Sequence, residues 1–345
     1  MQDSRAASKP TGKEYPRLDC GLPVACSGGN TLTMPDALPT VPNDVPPATE
    51  GICTVLVTYY PDDGFPARAQ RLLAQVRFAI VVDNRSGEEA RQMLRQWVQA
   101  HPSVELIENA ENLGIAAALN QGARRAIERG FSWMLSMDQD SDADASMVEQ
   151  LLKTYDDCPF RQHVSWIGAQ FRCPGDALRR ESLPDGRFVE VRATNTSGAL
   201  LSLAAFARVG PFREDYFIDS VDHEYCLRLR GAGYRIVQSV RPLMIHPIGQ
   251  PVRHKLLGLS CMCLNHSPLR RYYRTRNRLR TVATYWWREP MWSGRELCDI
   301  VREGVLIALY EREKIAKIRE MLRGFRDGLR GRMPRVRQDP QGRRC

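Results

Sequence analysis

Between residues 52 and 138, short apolar runs alternate with stretches of helical periodicity. The runs are Ile52–Thr58, Phe78–Asp83, Val104–Glu108 and Phe131–Met137, and the helical stretches lie near Ala67–Val76, Glu88–Ala100, Ile115–Arg129 and Ser141–Tyr155. An apolar run without polar alternation suits a strand that is buried on both faces. Strands of that kind, separated by helices, connect in parallel through crossovers. The pattern predicts an α/β fold, a mostly parallel sheet flanked by helices in the doubly wound manner. It also predicts where a ligand sits, because such sheets bind beyond the carboxyl ends of their strands. Thr58, Asp83, Asn109 and Asp138 all fall at such ends.

Beyond Pro159 the pattern is mixed. Strands are predicted at Val164–Phe171, Phe188–Ala193 and Tyr234–Val240, with Ser197–Leu203 as a strand running into Ala204–Val209. Tyr216–Arg230 reads as a helix ended by Gly231 and Gly233. From Ser267 onward the chain reads as helical, interrupted near Pro290. There Ile315, Ile318, Leu322, Phe325 and Leu329 form one stripe, with Lys314, Lys317, Arg319, Arg323 and Arg326 around it. Residues 1–50 hold eight of the 22 prolines and no periodic apolar pattern, which predicts a disordered extension. The expected organisation is an extension (1–50), an α/β domain (51–265) and a helical region with a basic tail (266–345).

Charge is unevenly placed. Residues 253–345 carry 23 Lys/Arg against 9 Asp/Glu, a net +14, so the remainder of this +9 chain carries −5. A cationic C-terminal part implies an anionic partner. No nucleic-acid module is recognisable, so no nucleic acid is expected, and phosphate or an anionic membrane surface leads. Trp286, Trp287 and Trp292 among arginines fit an interfacial helix on anionic lipid, while a homo-oligomer through the C-terminal helices explains the apolar stripe equally well. No run approaches the ~20 apolar residues of a membrane-spanning helix. The N-terminus lacks the layout of a secretory signal, and the ten cysteines form no CxxC pair. The expectation is a cytoplasmic chain with reduced thiols, peripheral at the inner face of the plasma membrane.

Chemistry concentrates in a few places. Asp138-Gln139-Asp140 closes the fourth apolar run with two carboxylates, oxygen ligands suited to a hard divalent cation that can hold a diphosphate. A loop that merely caps the next helix is the other reading. Asp83 ends a strand, either accepting from a base N–H or closing an Asx turn. Asn112 and Gly114 precede a helix: the asparagine can cap it, and the glycine allows a diphosphate to come close. Asp219 and Asp222 share a helical face, and one carboxylate beside a metal–nucleotide complex is what a general base requires. His246 follows an apolar strand, a place where histidine is more often structural than a ligand. In Arg270–Asn277, Tyr273, Arg276 and Asn277 share a face able to bind phosphate oxygens. Arg270, Arg274 and Arg278 read as a solvated basic face.

Taken together, these residues resemble the family 2 inverting glycosyltransferases of GT-A fold, in particular the dTDP-rhamnosyltransferase branch. The matching pieces, in order, are Val57-Thr58-Tyr59-Tyr60-Pro61, Val81-Val82-Asp83-Asn84, Glu111-Asn112-Leu113-Gly114-Ile115-Ala116, Asp138-Gln139-Asp140-Ser141, Thr196-Ser197-Gly198, Asp222-His223-Glu224-Tyr225, His246 and Tyr272-Tyr273-x-x-Arg276-Asn277. The resemblance implies transfer of L-rhamnose from a dTDP-L-rhamnose donor to a glycan or polyprenyl-linked acceptor in cell-surface polysaccharide synthesis. Another sugar nucleotide on the same fold, such as a galactofuranosyl or hexosyl donor, stays open, as does a non-catalytic nucleotide-binding scaffold. It further implies that Asp83 meets the thymine ring and that Thr58 and Tyr59 lie at the nucleoside. Asn112, Gly114 and Asn277 would complete the nucleotide site. Asp138 would sit near the ribose and, with Asp140 and His246, would hold Mg²⁺ or Mn²⁺, and Asp222 would be the base. Glu224, Ser197 and Gly198 would line the acceptor site, and Arg276 would neutralise the leaving diphosphate.

Overall fold

The computed structural model describes residues 45–174, 188–249, 252–256 and 259–335. Most of the predicted N-terminal extension, residues 1–44, lies outside the described residues. The first strand, β1 (Ile52–Thr58), is buried along its whole length. Alternate side chains of a strand point to opposite faces, and here each face has its own core. Ile52 and Leu56 join Phe65 and Leu72 of α1 (Phe65–Leu73), Leu94 of α2 (Glu88–Gln99) and Leu151 of α4 (Met147–Asp156). Cys53, Val55 and Val57 join Leu119 of α3 (Ile115–Glu128), Phe206 of α5 (Leu203–Val209) and Tyr225 of α6 (Val221–Gly231). Full burial of each large apolar side chain contributes roughly 1.5–3 kcal/mol, so the continuous run fixes a central strand.

β2 (Phe78–Asp83) and β3 (Val104–Glu108) extend the sheet in parallel on one side of β1, and β4 (Trp133–Asp138) pairs in parallel on the other. The sheet continues with β5 (Asp142–Ala143), β6 (Val164–Arg172), β7 (Phe188–Glu190), β8 (Ala199–Ser202) and β9 (Arg235–Ile245). Among the described residues the order is β3-β2-β1-β4-β8-β6-β9-β5, with β7 alongside β9. The chain leaves β1 in one direction and returns on its other side, and sheets of this kind bind ligands beyond the carboxyl ends of the strands at that reversal.

Four sequence expectations are corrected. The Ser197–Leu203 strand is confined to Ala199–Ser202, since Ser202 Oγ accepts from the Ala205 N–H at 3.2 Å and caps a helix there. The helix expected from Ser141 starts at Met147, because Asp142 and Ala143 pair with Ile245 and Met244 instead. The helix expected from Tyr216 starts at Val221, after Phe217, Asp219 and Ser220 adopt left-handed backbone angles. The expected strand at Phe188–Ala193 ends at Glu190. A hairpin, β10 (Val252–Leu256) with β11 (Leu259–Cys263), was not anticipated.

Three helices follow: α7 (Pro268–Tyr285), α8 (Pro290–Tyr310) and α9 (Lys314–Leu329). A Cβ at Gly324 of α9 would lie 2.4 Å from the Tyr272 carbonyl oxygen, so this residue lets α9 lie directly on α7. The arginines of α7 are not the solvated face expected from sequence. Arg271, Arg274 and Arg278 converge on Glu303 of α8 at 2.9, 2.9 and 2.8 Å. Arg271 also meets Glu311 (2.6 Å) and Arg278 meets Glu296 (2.9 Å).

Candidate active site

At the end of β4, Gln139 reaches across to the end of β1. The Tyr59 N–H donates to Gln139 Oε1 (2.7 Å), and Gln139 Nε2 donates back to the Tyr59 carbonyl (3.0 Å). Arg68 Nε donates to the Gln139 carbonyl at 3.0 Å. This clasp fixes the residue between the two carboxylates, and so fixes Asp138 and Asp140 themselves. Beneath them runs a hydrogen-bonded chain. The Asp138 N–H donates to Ser197 Oγ (3.1 Å), Ser197 Oγ meets Ser141 Oγ (2.7 Å), and Ser141 Oγ meets His246 Nδ1 (2.8 Å). His246 arrives there because the Leu243-Met244-Ile245 run completes β9, with Ile245 in register with Asp142. Its ring stands edge-on to Phe171, centroids 5.5 Å apart.

One ligand atom each from Asp138, Asp140 and His246 lies within 4.8 Å of the others. Two carboxylate oxygens and an imidazole nitrogen suit a divalent cation of the Mg²⁺ or Mn²⁺ kind. The Ser141 hydroxyl bonded to Nδ1 fixes the orientation of the imidazole, and the same nitrogen lies 3.9 Å from the Asp140 carboxylate. The electrostatics agree. Burial pushes the Asp138 carboxyl up to about 6, against the pull of His246 and Arg270 and with the added push of Asp140 and Asp222. Crowded carboxylates of this kind are relieved by a cation.

Asp222, in the first turn of α6, is half-buried and faces this cluster electrostatically. Among the described residues it takes one hydrogen bond, from the His223 N–H to Oδ1 at 2.8 Å. The segment before it is strained: Phe217, Asp219 and Ser220 have φ of 62°, 64° and 59°. Left-handed non-glycine residues cost about 1–3 kcal/mol each and persist only where the surroundings over-determine them. Here α7 does so. Asn277 Nδ2 donates to the carbonyls of Tyr216 (2.9 Å), Ile218 (2.8 Å) and Asp219 (2.9 Å). Arg276 donates to the Asp215 carbonyl (2.7 Å), and Arg270 grips the Asp219 carboxylate at 3.1 and 3.3 Å. Burial would raise the Asp219 carboxyl, but the guanidiniums of Arg270 and Arg274 overcome it and hold it at about 2.

Residues 68–204 match the model of the family described as Glycosyl transferase family 2. The chain is also 29% identical over 298 residues to "dTDP-rhamnosyl transferase RfbF" of Shigella flexneri, across 81% of this chain and 96% of that protein. The chain is a glycosyltransferase with a family 2 domain. Its architecture is that of the GT-A glycosyltransferases. A mannosyltransferase, PcManGT from Pyrobaculum calidifontis, solved with GDP-Man and Mn²⁺, superposes with a TM-score of 0.52 at 14% identity, over 84% of this chain and 89% of that one. GalNAc-T7, solved with UDP, GalNAc and Mn²⁺, superposes with a TM-score of 0.53 at 11% identity, over 82% of this chain and 56% of that one.

The fold brings Asp138, Asp140 and His246 together, with Asp222 within electrostatic reach of Asp138, and turns several other expected site residues inward. Arg276 is fully buried over the rings of Tyr272 and Tyr273, and its guanidinium is spent on the carbonyls of Pro334 and Asp215 and on Asn277. It and Asn277 hold the 215–219 segment and do not face a nucleotide. Gly114, at φ 86°, is approached by the Phe217 backbone: an added Cβ would sit 2.5 Å from the Phe217 carbonyl oxygen, leaving no room there for a diphosphate. Asn112 closes a turn onto the Gly114 N–H (2.9 Å), and the helix cap falls on Gly114.

Glu224 is buried under Arg228 (2.9 Å) and the Tyr285 hydroxyl (3.0 Å), which occupy its carboxylate. Ser197 supports Asp138 and Ser141 from below, and Gly198 packs against Met244 and Ala169. Asp83 is fully buried. It accepts from Thr58 Oγ1 (2.9 Å), from the Ser86 N–H (2.9 Å) and from the Ser86 hydroxyl, so it shapes the loop after β2. Two residues at the crevice went unrecognised in sequence. Gln139 stands in plain view inside the motif, and Arg270, read as a solvated arginine, is the guanidinium that acts on Asp138.

Proposed function

We propose that this glycosyltransferase moves L-rhamnose from dTDP-β-L-rhamnose to a hydroxyl of a glycan or glycolipid acceptor, with inversion. The observation that carries the reading is the Asp138–Asp140–His246 cluster, with the half-buried Asp222 carboxylate within electrostatic reach of Asp138. The Shigella flexneri relative, a dTDP-rhamnosyl transferase by name, supports the donor. Asp138, Asp140 and His246 would hold Mg²⁺ or Mn²⁺, in keeping with the Mn²⁺ in both structural neighbours. When bound, the ion offsets charge on the departing diphosphate.

Asp222 accepts the proton of the acceptor hydroxyl while that oxygen bonds to the anomeric carbon. The bond from that carbon to the diphosphate breaks on the opposite face, and dTDP leaves with the electron pair. One base and no enzymic nucleophile give an α-L-rhamnoside from the β donor. Arg270, within electrostatic reach of Asp138, takes the charge-neutralising part expected of Arg276. Asp219 holds it in place.

The test is a donor panel with purified protein and Mg²⁺ or Mn²⁺, including dTDP-rhamnose, galactofuranosyl and hexosyl nucleotides, with mass analysis of products. Turnover of a different donor overturns the sugar assignment. Asp222→Asn should lower transfer by roughly 10²–10⁴-fold, the range for a general base, with dTDP binding retained. Undiminished turnover in that variant overturns the base.

A further inference from the structure

Helices α8 and α9 turn most of their carboxylates inward and, apart from the buried Lys317, their cations outward. Glu296 and Glu303 bind arginines of α7, Glu311 binds Lys317 (2.9 Å), and Asp327 accepts from the Tyr272 hydroxyl (3.0 Å). On α9 and just beyond it, Lys314, Arg319, Arg323, Arg326 and Arg330 are all exposed. Among the described residues from 290 to 330, Glu313 is the one exposed acid. Between these cations an apolar stripe also lies open: Ile315 is 88% exposed, Leu322 65%, Phe325 44% and Leu329 64%. The preceding helix adds Met291 (75%), Val301 (67%) and Leu309 (49%), with Trp287 (82%) just before it. Burying such residues is worth too much for them to stay in water without a purpose, and an open apolar patch of this extent marks an interaction surface.

We propose that the outward face of α9, with the exposed apolar residues of α8, docks on the surface of an anionic lipid bilayer. The charge selects this occupant. A second copy of the chain would bring two rows of exposed arginines together, and like charges at an interface oppose association. An anionic headgroup layer meets the same arginines with opposite sign, while Ile315, Leu322, Phe325 and Leu329 enter the acyl boundary beneath it. Among the described residues no helix is long and apolar enough to cross a membrane, so docking is in the plane of the surface. The pairs Arg323–Glu320 (3.5 Å) and Arg326–Asp327 (3.1 Å) involve exposed guanidiniums and are readily exchanged for headgroups.

The test is co-sedimentation of the full chain with vesicles of phosphatidylcholine alone or mixed with phosphatidylglycerol. The native chain should sediment with the mixed vesicles, stay in solution with phosphatidylcholine alone, and be released by salt. Each arginine near the surface contributes roughly five-fold in partitioning, so Arg319→Ala with Arg330→Ala should weaken binding roughly 25-fold. Leu322→Ser with Phe325→Ser should abolish it, with an unchanged far-UV circular dichroism spectrum. The proposal is overturned if the native chain ignores anionic vesicles, if it binds neutral ones equally, or if neither double variant matters. It is also overturned if sedimentation velocity shows a dimer that Leu322→Ser with Phe325→Ser dissociates while vesicles stay unbound. None of these readouts uses the donor, so the transferase reading and the docking surface stand or fall separately.

Discussion

Glu303 joins the C-terminal helices to the segment that presents Asp222, and replacing it tests that linkage. Its carboxylate accepts from Arg271, Arg274 and Arg278, and together they hold it well below its ordinary value of 4.5 although burial works the other way. The unfolded chain takes a proton at Glu303 near pH 4.5, whereas the folded chain resists until far more acid. The stability it contributes is therefore complete above about 4.5 and lost as the pH falls below it. Each unit of pH in that window removes about 1.4 kcal/mol, so about 2 kcal/mol goes between pH 4.5 and 3. Breaking a buried ion cluster costs about 3–5 kcal/mol. Glu303→Gln should fall near the lower end, because Arg271 keeps Glu311 and Arg278 keeps Glu296.

Urea midpoints followed by circular dichroism from pH 7 to 3 give both numbers. The variant should be less stable by about 3 kcal/mol at pH 7, and the gap should narrow by about 2 kcal/mol at pH 3. Parallel curves for the two proteins below pH 4.5 would refute the claim that the arginines keep this carboxylate charged.

Asp140→Asn should remove the Mn²⁺-dependent increment of dTDP binding in calorimetry while metal-free binding persists; an unchanged increment counts against the cluster as a cation site. Asn277→Ala strips three backbone carbonyls and Arg276 Nε of a partner, and should cost about 3 kcal/mol in a urea titration. Its effect should fall on kcat more than on donor KM, and the reverse pattern would argue that Asn277 meets the donor after all. Burial, seconded by Arg270, keeps the His266 imidazole neutral down to about 3 instead of its ordinary 6.5. That contribution is complete above pH 6.5 and drains away as the pH drops toward 3, so His266→Phe should flatten the stability profile by about 1.4 kcal/mol per unit between pH 6 and 4.5. An unaltered slope there would exclude a neutral buried histidine.

The parallel half of the sheet was legible because it rests on a local signal. β1 and β2 are read from nearly continuous apolar runs to the residue, and β3 (Val104–Glu108), with its two glutamates, from its place between two helical stretches. The Asp138-Gln139-Asp140 turn was legible for a related reason, since it follows directly on an apolar strand, whereas His246 reads as structural by its place and entered only through the family resemblance. What failed depended on the third dimension. Ser202 decides between strand and helix through one side-chain cap, and nothing in the Ala199–Val209 pattern announces it. Arg270 and Arg276 sit six residues apart on one helix and look alike in sequence. Only the packing of α9 on α7 buries the second, and only the position of Asp219 draws the first toward the crevice. Helical periodicity grouped Arg276 and Asn277 correctly on one face, but could not say whether that face looks out or in.

The reach of Arg276 has a practical meaning for anyone shortening or fusing this enzyme. Its guanidinium joins the Pro334 carbonyl, far along the chain, to the Asp215 carbonyl beside the segment that leads to Asp222. The last described turn of the protein is thus a keystone for the first turn of α6. A chain cut after Leu329 would shed no sequence-recognised motif, yet it would untie that knot, and a family match confined to residues 68–204 gives no warning of it. Trimmed or chimeric versions should keep everything through residue 335.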